Sequence, residues 1–138
     1  NRRLAMNWGD GDTVKDPIGA NYTVGQSNGT VADQLPDGSS LYNHYKKLIA
    51  IRKANPEIAY GDFTPIVIEG SKLGGFLSTY GDSTVAVFHN TSLSSVEIDL
   101  STVTDVEFGE LLAYAGVGSA TLEGTILKIE GQTSVVLK

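Results

Sequence analysis

The sequence predicts a mainly β protein whose C-terminal part is an antiparallel β-sandwich of the Greek-key type, preceded by one helix and an irregular segment. Three observations lead to this prediction. Short apolar runs separated by turn residues recur after residue 58, one apolar pattern with a period of about 3.6 covers residues 39–55, and residues 1–38 follow no apolar period. A chain of 138 residues is long enough to bury a core of its own.

The irregular segment comprises residues 1–38, in which Gly, Asn, Asp, Ser and Thr are dense, as in the run Gly9–Asp12. Structureless segments longer than about 15 residues are uncommon inside a compact domain. Trp8 and Tyr22 also argue against a simple linker, because large aromatic residues are unusual in solvated tails. The segment is therefore expected to be disordered or to take its shape from polypeptide outside this sequence.

The helix is predicted over residues 39–55. Ser39 or Ser40 supplies the N-cap oxygen for the free amides of the first turn. The sequence Asn55-Pro56 ends the helix, because the residue before a proline is pushed out of the helical region. Four apolar residues at helical spacing form one face: Leu41, Tyr45, Leu48 and Ile49.

The remaining residues, 58–138, are predicted to form strands and turns only. Val96, Ile98 and Leu100 alternate with acidic residues, which is typical of a half-buried strand with one solvated face. Turn signals such as Gly81-Asp82 separate the runs. The predicted strands are Thr64–Glu69, Leu73–Tyr80, Thr84–Asn90, Ser95–Leu100, Val106–Ala113, Ala120–Glu123, Thr125–Ile129 and Ser134–Leu137.

The charge distribution excludes two classes of partner. Residues 1–56 contain seven basic and five acidic residues, whereas residues 57–138 contain three basic and eleven acidic ones. The net charge of the whole chain is -6. A strongly acidic β region repels phosphate backbones and anionic lipid headgroups, so neither nucleic acid nor a membrane is an expected partner.

No metal or cofactor site is expected. The sequence contains no cysteine, which excludes a thiolate zinc site and a cysteine nucleophile. His44 and His89 are its only histidines, and they form neither a His-x-x-x-His nor a His-x-His pair. Acidic residues on the predicted strands, such as Glu97 and Asp99, fall on the polar side of the alternation and are interpreted as solvated surface charge.

Several motifs resemble a known family. The run Arg3–Trp8 resembles the Arg-x-Pro-Met-x-Trp stretch near the end of the catalytic barrel in the glycoside hydrolase family of α-amylases and α-glucosidases, with Ala5 where that family usually has proline. Thr30–Gln34 is similar to a later stretch of the family that ends in Gln. Ser40–Ile58 and Tyr60–Phe63 are similar to the last barrel helix and its exit into the next domain. Beyond residue 63 the resemblance is architectural.

The resemblance implies that residues 1–57 are the C-terminal remnant of a (β/α)8 catalytic barrel and residues 58–138 an all-β C-terminal domain. The parent would hydrolyse α-glucans such as starch and maltooligosaccharides with a pair of carboxylates. In the family those carboxylates lie upstream of the first motif, so this chain is expected to have no catalytic residue and to be inactive alone. Its partners would be the missing barrel of the same polypeptide and α-glucan.

The candidate substrate-binding residues are Arg3, at the rim of the active site, and Trp8, whose indole can stack on a sugar ring. The alternative for Trp8 is a structural anchor to a missing core. For the whole chain, one rival is an autonomous carbohydrate-binding module, and another is an adhesive sandwich of a cell-surface protein. An extracellular or cell-surface bacterial location is favoured over a cytoplasmic one. The aromatic residues that a module would use are Phe63, Phe76, Tyr80, Phe88, Phe108 and Tyr114, most of which are expected in the core.

Overall fold

A computed structural model describes residues 5–11, 15–19 and 29–138. The chain divides into two compact units, Asn1–Lys46 and Lys47–Lys138. The described residues form three α-helices, one short 3-10 helix and eight strands, all paired antiparallel. Among these residues, no helix is both long and apolar enough to cross a membrane. The predicted mainly β fold is confirmed, whereas the boundary predicted at residue 57 stays a prediction.

The segment predicted to be irregular contains a short helix, α1, at Val31–Gln34. The Thr30 side chain accepts a hydrogen bond from the Asp33 amide, while the Asp33 carboxylate accepts one from the Thr30 amide. This reciprocal capping box satisfies amides that a helix terminus otherwise leaves free. The prediction of a single helix was therefore wrong here, because local capping stabilises a turn that has no apolar period.

The predicted helix is present as α2, Leu41–Ala54, and Ser40 is its N-cap. The Ser40 hydroxyl accepts a hydrogen bond from the Asn43 amide, and the Ser40 carbonyl accepts the first intrahelical bond from the amide of His44. Pro56 does end α2, but it also occupies the first turn of a third helix, α3, at Pro56–Tyr60. A proline is tolerated there because the amide it lacks has no intrahelical partner at that position.

The strands form two sheets. Sheet A has the order β1-β2-β3-β8-β5, and sheet B has the order β4-β7-β6. Predicted and observed strands coincide for β2 and β6 and differ by one to three residues at the ends of most others. The bounds are β1 Asp62–Ile66, β2 Leu73–Tyr80, β3 Ser83–Asn90, β4 Val96–Asp99, β5 Leu111–Gly116, β6 Ala120–Glu123, β7 Ile126–Ile129 and β8 Thr133–Leu137, with the 3-10 helix at Leu100–Thr102.

The strand predicted at Val106–Ala113 was wrong in its first half, since β5 begins only at Leu111. Phe108 is buried in the core from a loop, so the alternation of apolar residues there reflects core anchoring rather than a sheet ladder. Three backbone hydrogen bonds hold the loop to Lys138: the amides of Gly109 and Glu110 donate to the Lys138 carbonyl, and the Lys138 amide donates to the Glu110 carbonyl.

The edges of the sheets carry recognisable interruptions. Pro65 lies in β1, an edge strand of sheet A, and a proline in a strand is tolerated at an edge where its missing amide would face solvent. The opposite edge, β5, has a shift of register between Leu111 and Ala113. The edges of sheet B are β4 and β6, each four residues long.

Two groups of buried apolar residues hold the second unit together. The larger group joins both sheets, with Phe88 and Leu137 from sheet A against Leu127 and Ile129 from sheet B. The smaller group lies on the other side of sheet A, where Val85, Val87 and Val136 are buried and the partly buried Ile51 of α2 and Ile58 of α3 pack against them. Sheet A is therefore covered by sheet B on one face and by the end of α2 and by α3 on the other.

One buried polar side chain links the two sheets. Asn90, at the end of β3, is 2% exposed. Its amide nitrogen donates to the carbonyls of Ile129 and Glu130 at the end of β7, at 3.0 and 3.1 Å, and to the carbonyl of Ser94. Its oxygen accepts from the amide and hydroxyl of Ser92. Although Asn90-Thr91-Ser92 fits the glycosylation rule, this asparagine is engaged inside the fold and cannot accept a glycan there.

We expect Asn90→Ala to lower the free energy of unfolding by about 3 kcal/mol, because it leaves buried carbonyls without donors. Thr91→Ala is the matched control, since it removes one exposed hydrogen bond, from the Thr91 hydroxyl to the Lys72 carbonyl. This control should lower stability by no more than about 1 kcal/mol. Urea unfolding of both variants measures the difference, and equal losses would contradict the role assigned to Asn90.

Candidate functional site

The segment that carries Trp8 is positioned by the start of α1. The amides of Val31 and Ala32 donate to the carbonyls of Asn7 and Trp8, each at 2.9 Å. Gly9 has a positive φ of 141°, and a Cβ there would lie 2.8 Å from the Cβ of Ala32. Glycine is therefore required at this close approach. The first turn of α1 and the Trp8 segment thus form one locally built structure.

Of the two predicted substrate-binding residues, the structure describes one. Trp8 is 52% exposed, so a large part of its indole is accessible. Arg3 lies outside the described residues. The structure therefore neither brings these two residues together nor separates them, and their role in substrate binding stays a prediction.

Part of the apolar face predicted for α2 is uncovered. None of the residues of α2 is buried. The four predicted face residues are between 37% and 59% exposed: Leu41, Tyr45, Leu48 and Ile49. Ile51, on the side of the helix that packs on sheet A, is only partly buried. A helix is stabilised mainly by burying its apolar face, so this face lacks the covering layer that it needs.

A buried carboxylate joins α3 to the sheet. Glu57 is 3% exposed, and its Oε1 accepts hydrogen bonds from the Ser83 hydroxyl of β3 and from the Lys138 ammonium at 2.9 Å. The Ser78 hydroxyl of β2 donates to the Glu57 carbonyl at 2.6 Å. These four residues are called the Glu57 cluster here. Sequence reasoning did not single out Glu57, because its partners lie between 21 and 81 residues further along the chain.

The contacts of the Glu57 cluster indicate a structural role for Glu57 rather than a catalytic one. The hydrogen bond from Ser83, followed by that from Lys138, lowers the pKa of Glu57 from about 4.5 to about 2. A carboxyl that acts as a general acid near neutral pH needs a raised pKa, which holds its proton until the reaction takes it. Glu57 is instead ionised and bound by its neighbours. It is the one acidic residue that is buried among those the structure describes.

The aromatic candidates separate into core and surface. Phe88 and Phe108 are buried in the larger core group, as expected, and Phe76 is half-buried beside the smaller one. Phe63 is exposed and lies 4.8 Å from Phe76, centroid to centroid. Tyr114 is partly covered by Lys47, whose ammonium lies 4.8 Å from the ring centroid.

Two further tyrosines lie side by side at the surface. Tyr60, at the end of α3, and Tyr80, at the end of β2, have ring centroids 5.9 Å apart. These two residues are called the tyrosine pair. Sequence reasoning placed Tyr80 on a strand but missed its neighbour, because the contact depends on how α3 meets sheet A. Within the described ranges no group of three or more His, Cys, Asp or Glu residues could hold a metal ion.

No protein-family model matches the chain. Among curated proteins, the palatinase of Erwinia rhapontici is 40% identical over 74 residues, which are 54% of this chain and 13% of that protein. The α-amylase SusG of Bacteroides thetaiotaomicron is 29% identical over 146 residues, covering 99% of this chain and 20% of SusG. The chain thus spans a fifth or less of these two relatives.

A solved structure shows the same likeness in three dimensions. Amy13B of Eubacterium rectale superposes with a TM-score of 0.85 and 27% sequence identity, over 99% of this chain and 27% of that protein. Together with the relatives, it confirms the resemblance of this chain to the C-terminal region of the α-amylase family. The resemblance extends over the β region, where the sequence motifs alone supported only a likeness of architecture.

Glu57→Gln is expected to lower the free energy of unfolding at pH 7 by about 1–3 kcal/mol, because an ammonium and a hydroxyl lose a charged acceptor. The difference should depend on pH. Since the folded pKa lies below the unfolded one, the contribution of Glu57 is complete above pH 4.5 and declines as the pH falls toward about 2. Denaturant unfolding of both proteins between pH 7 and pH 2 measures this convergence.

The matched control is Glu97→Gln, which neutralises an exposed acid on β4. It should change stability by less than about 0.5 kcal/mol across the same range of pH. A stability difference for Glu57→Gln that stayed constant down to pH 2 would refute the assignment of a lowered pKa to Glu57.

Proposed function

We propose that this chain is the C-terminal region of an α-glucan-active enzyme of the α-amylase family, and that it completes and stabilises a catalytic barrel supplied by preceding polypeptide. The small share of each relative that the chain spans supports this proposal. Residues 1–57 then complete the barrel, with α2 in its outer ring of helices. Residues 58–138 are the all-β domain that packs on it.

The observation that carries the proposal is the uncovered apolar face of α2. Leu48 and Ile49 are exposed, although the next turn of the same helix packs Ile51 against sheet A. Large exposed apolar patches on a soluble protein mark surfaces that another layer covers. In a (β/α)8 barrel each outer helix buries such a face against the strands. A barrel strand and its neighbouring helix therefore supply the partner that α2 lacks.

The proposal assigns substrate contact to the first residues. Trp8, half-exposed on its glycine-bounded segment, offers an indole face on which a sugar ring stacks. Arg3 contributes a guanidinium that donates hydrogen bonds to sugar hydroxyls at the rim of the active site. Neither residue has the chemistry of an acid/base or a nucleophile for this reaction, which needs two carboxylates flanking the bond.

The first expected outcome is that the 138-residue chain alone releases no reducing sugar from soluble starch or maltooligosaccharides. The physical reason is that a retaining mechanism needs a carboxylate nucleophile and a carboxylic acid about 5 Å apart, which the proposal places in the preceding polypeptide. A reducing-end assay with a commercial α-amylase as positive control makes the measurement. If the chain alone released reducing sugar, and this activity remained after repurification had removed contaminating enzymes, the result would refute the proposal.

The second expected outcome concerns Leu48. In the isolated chain, Leu48→Lys should change the free energy of unfolding by less than about 0.5 kcal/mol, because the side chain is already exposed. In the polypeptide that includes the barrel, the same change should destabilise the enzyme by about 2–4 kcal/mol, because it buries an unpaired charge. Thermal unfolding of both forms measures the two effects.

Ala50→Lys is the matched control for Leu48→Lys. Ala50 is exposed and lies two residues further along α2, which turns it to the opposite side of the helix. The proposal expects this lysine to be tolerated in both forms of the protein. Equal tolerance of both lysines in the longer polypeptide would show that the barrel does not cover the apolar face of α2.

A further inference from the structure

We propose that the part of sheet A that α2 and α3 leave uncovered docks on a helix of the preceding catalytic barrel around His89, and that protonation of His89 weakens this contact. The barrel as partner rests on the proposed function, whereas the choice of this surface rests on sheet A itself. The surface consists of neighbouring residues that point to the same side of the sheet as the smaller core group. It is called the His89 face here and comprises Phe63, Pro65, Gly74, Phe76, His89 and Ser134.

The side of sheet A that carries the His89 face is uncharged. Within the bounds of β1, β2, β3 and β8, no Asp, Glu, Lys or Arg points to this side. The outer side of sheet B, in contrast, carries Glu97, Asp99, Glu123 and Lys128. A sheet face in contact with water is normally polar, so an uncharged face with exposed aromatic residues indicates a surface that another layer covers.

Three aromatic rings form a continuous row on the His89 face. The ring centroids of Phe63 and Phe76 are 4.8 Å apart, and those of Phe76 and His89 are 6.2 Å apart. Phe63 and His89 are exposed. Gly74 pairs in register with His89, and a Cβ there would have its nearest neighbour, the Ile66 carbonyl oxygen, at 4.0 Å. The sheet therefore leaves open space beside the His89 ring, into which a side chain of a covering layer fits.

Continuity with an existing layer identifies the occupant. On the same side of sheet A, Ile51 of α2 and Ile58 of α3 already pack against Val85 and Val87. His89 lies four residues beyond Val85, or about 13 Å along β3, which leaves room for a second helix about 10 Å wide beside α2. The exposed apolar residues of α2 need a neighbour in this same layer. A helix of the barrel next to α2 therefore covers both surfaces at once.

The imidazole of His89 suits this interface only in its neutral form. Its Nδ1 lies 2.7 Å from the Ser134 hydroxyl of β8. Partial burial lowers the pKa of His89 from its ordinary value of about 6.5, so the ring is neutral at pH 7. A neutral ring keeps one further nitrogen for a hydrogen bond to the covering helix. An imidazolium would instead be buried beside an uncharged face, without a counter-ion.

The charged groups nearest to this face do not pair with His89. Glu69 and Lys72 are exposed in the connection between β1 and β2, and Glu130, between β7 and β8, accepts a hydrogen bond from the Ser119 amide at 2.7 Å. Arg52 of α2 donates to carbonyls of α3, and the Glu57 cluster lies at the far end of β3. Desolvation is the cause that lowers the pKa of the histidine, and these charges do not counter it.

The first measurement compares the 138-residue chain with the polypeptide that includes the barrel, both without substitutions. Diethyl pyrocarbonate modifies accessible neutral imidazoles, and mass spectrometry quantifies the product at His89. We expect the rate at pH 7 to be at least about tenfold lower in the longer polypeptide, because the barrel helix covers the ring. Similar rates in the two forms would overturn the proposal, including equally low rates caused by pairing of two copies of the 138-residue chain through this face.

A lysine placed beside His89 tests the contact by stability. Gly74→Lys should lower the thermal midpoint of the longer polypeptide by at least about 3 °C, because the ammonium is forced into the interface, and that of the 138-residue chain by no more than about 1 °C. Thr121→Lys is the matched control, since Thr121 is exposed on the outer side of sheet B. Both forms should tolerate it. Equal tolerance of Gly74→Lys in both forms would contradict docking on this face.

The pH dependence tests His89 itself. Because the folded pKa lies below the unfolded one, the contribution of the neutral ring is complete above about pH 6.5 and is lost as the pH falls below that value. Between pH 7.5 and pH 5.5, the thermal midpoint of the longer polypeptide should therefore fall by at least about 2 °C more than that of its His89→Gln variant. An equal fall in both proteins would refute the role of His89.

Comparison with Leu48→Lys separates this inference from the proposed function. If Leu48→Lys destabilises the longer polypeptide and Gly74→Lys does not, the barrel covers α2 but not the His89 face, and only this inference fails. If neither lysine destabilises it, the barrel covers neither surface, and the proposed function fails as well.

Discussion

The buried charge of Glu57 is the constraint on which the second unit depends. An ionised carboxylate inside a protein is unfavourable unless it is paired, and here Ser83 and Lys138 both donate to one of its oxygens. Because the partners come from β3 and from the residue that follows β8, the pairing specifies where α3 meets sheet A. The smaller core group then fills in around this contact, with Ile51 and Ile58 over the sheet. Apolar packing alone would tolerate a shifted helix, whereas a paired charge does not.

Helix α2 has one broad apolar face, of which only a part is covered. Its last turn packs Ile51 on sheet A, while Leu48 and Ile49 stay exposed. An apolar face that is wider than the layer covering it needs a second layer beside the first. In the proposed enzyme, the barrel would cover the exposed part of this face.

The sequence predicted those features that depend on local pattern. The bounds of β2 and β6 and the cap of α2 at Ser40 were predictable, because alternation and capping act within a few residues. The residues of the capping box at Thr30 are visible in the sequence, but no apolar period follows them. For this reason α1 was not predicted. The role of Asn90 was not predictable, because its partners on β7 lie about 40 residues away and become neighbours only when the sheets pack. The tyrosine pair was hidden for the same reason.

The four sheet edges of the described chain differ in sequence but share one physical effect. Unpaired strand edges can act as templates on which further strands grow into fibrils. Pro65 removes a donor from one such edge, and the irregular register at Leu111 distorts the opposite one. In sheet B, the outer strands are short and carry acidic side chains such as Glu97 and Glu123. A β domain with blunted edges offers no long, regular template to another molecule, so it resists growth into amyloid even when it is concentrated.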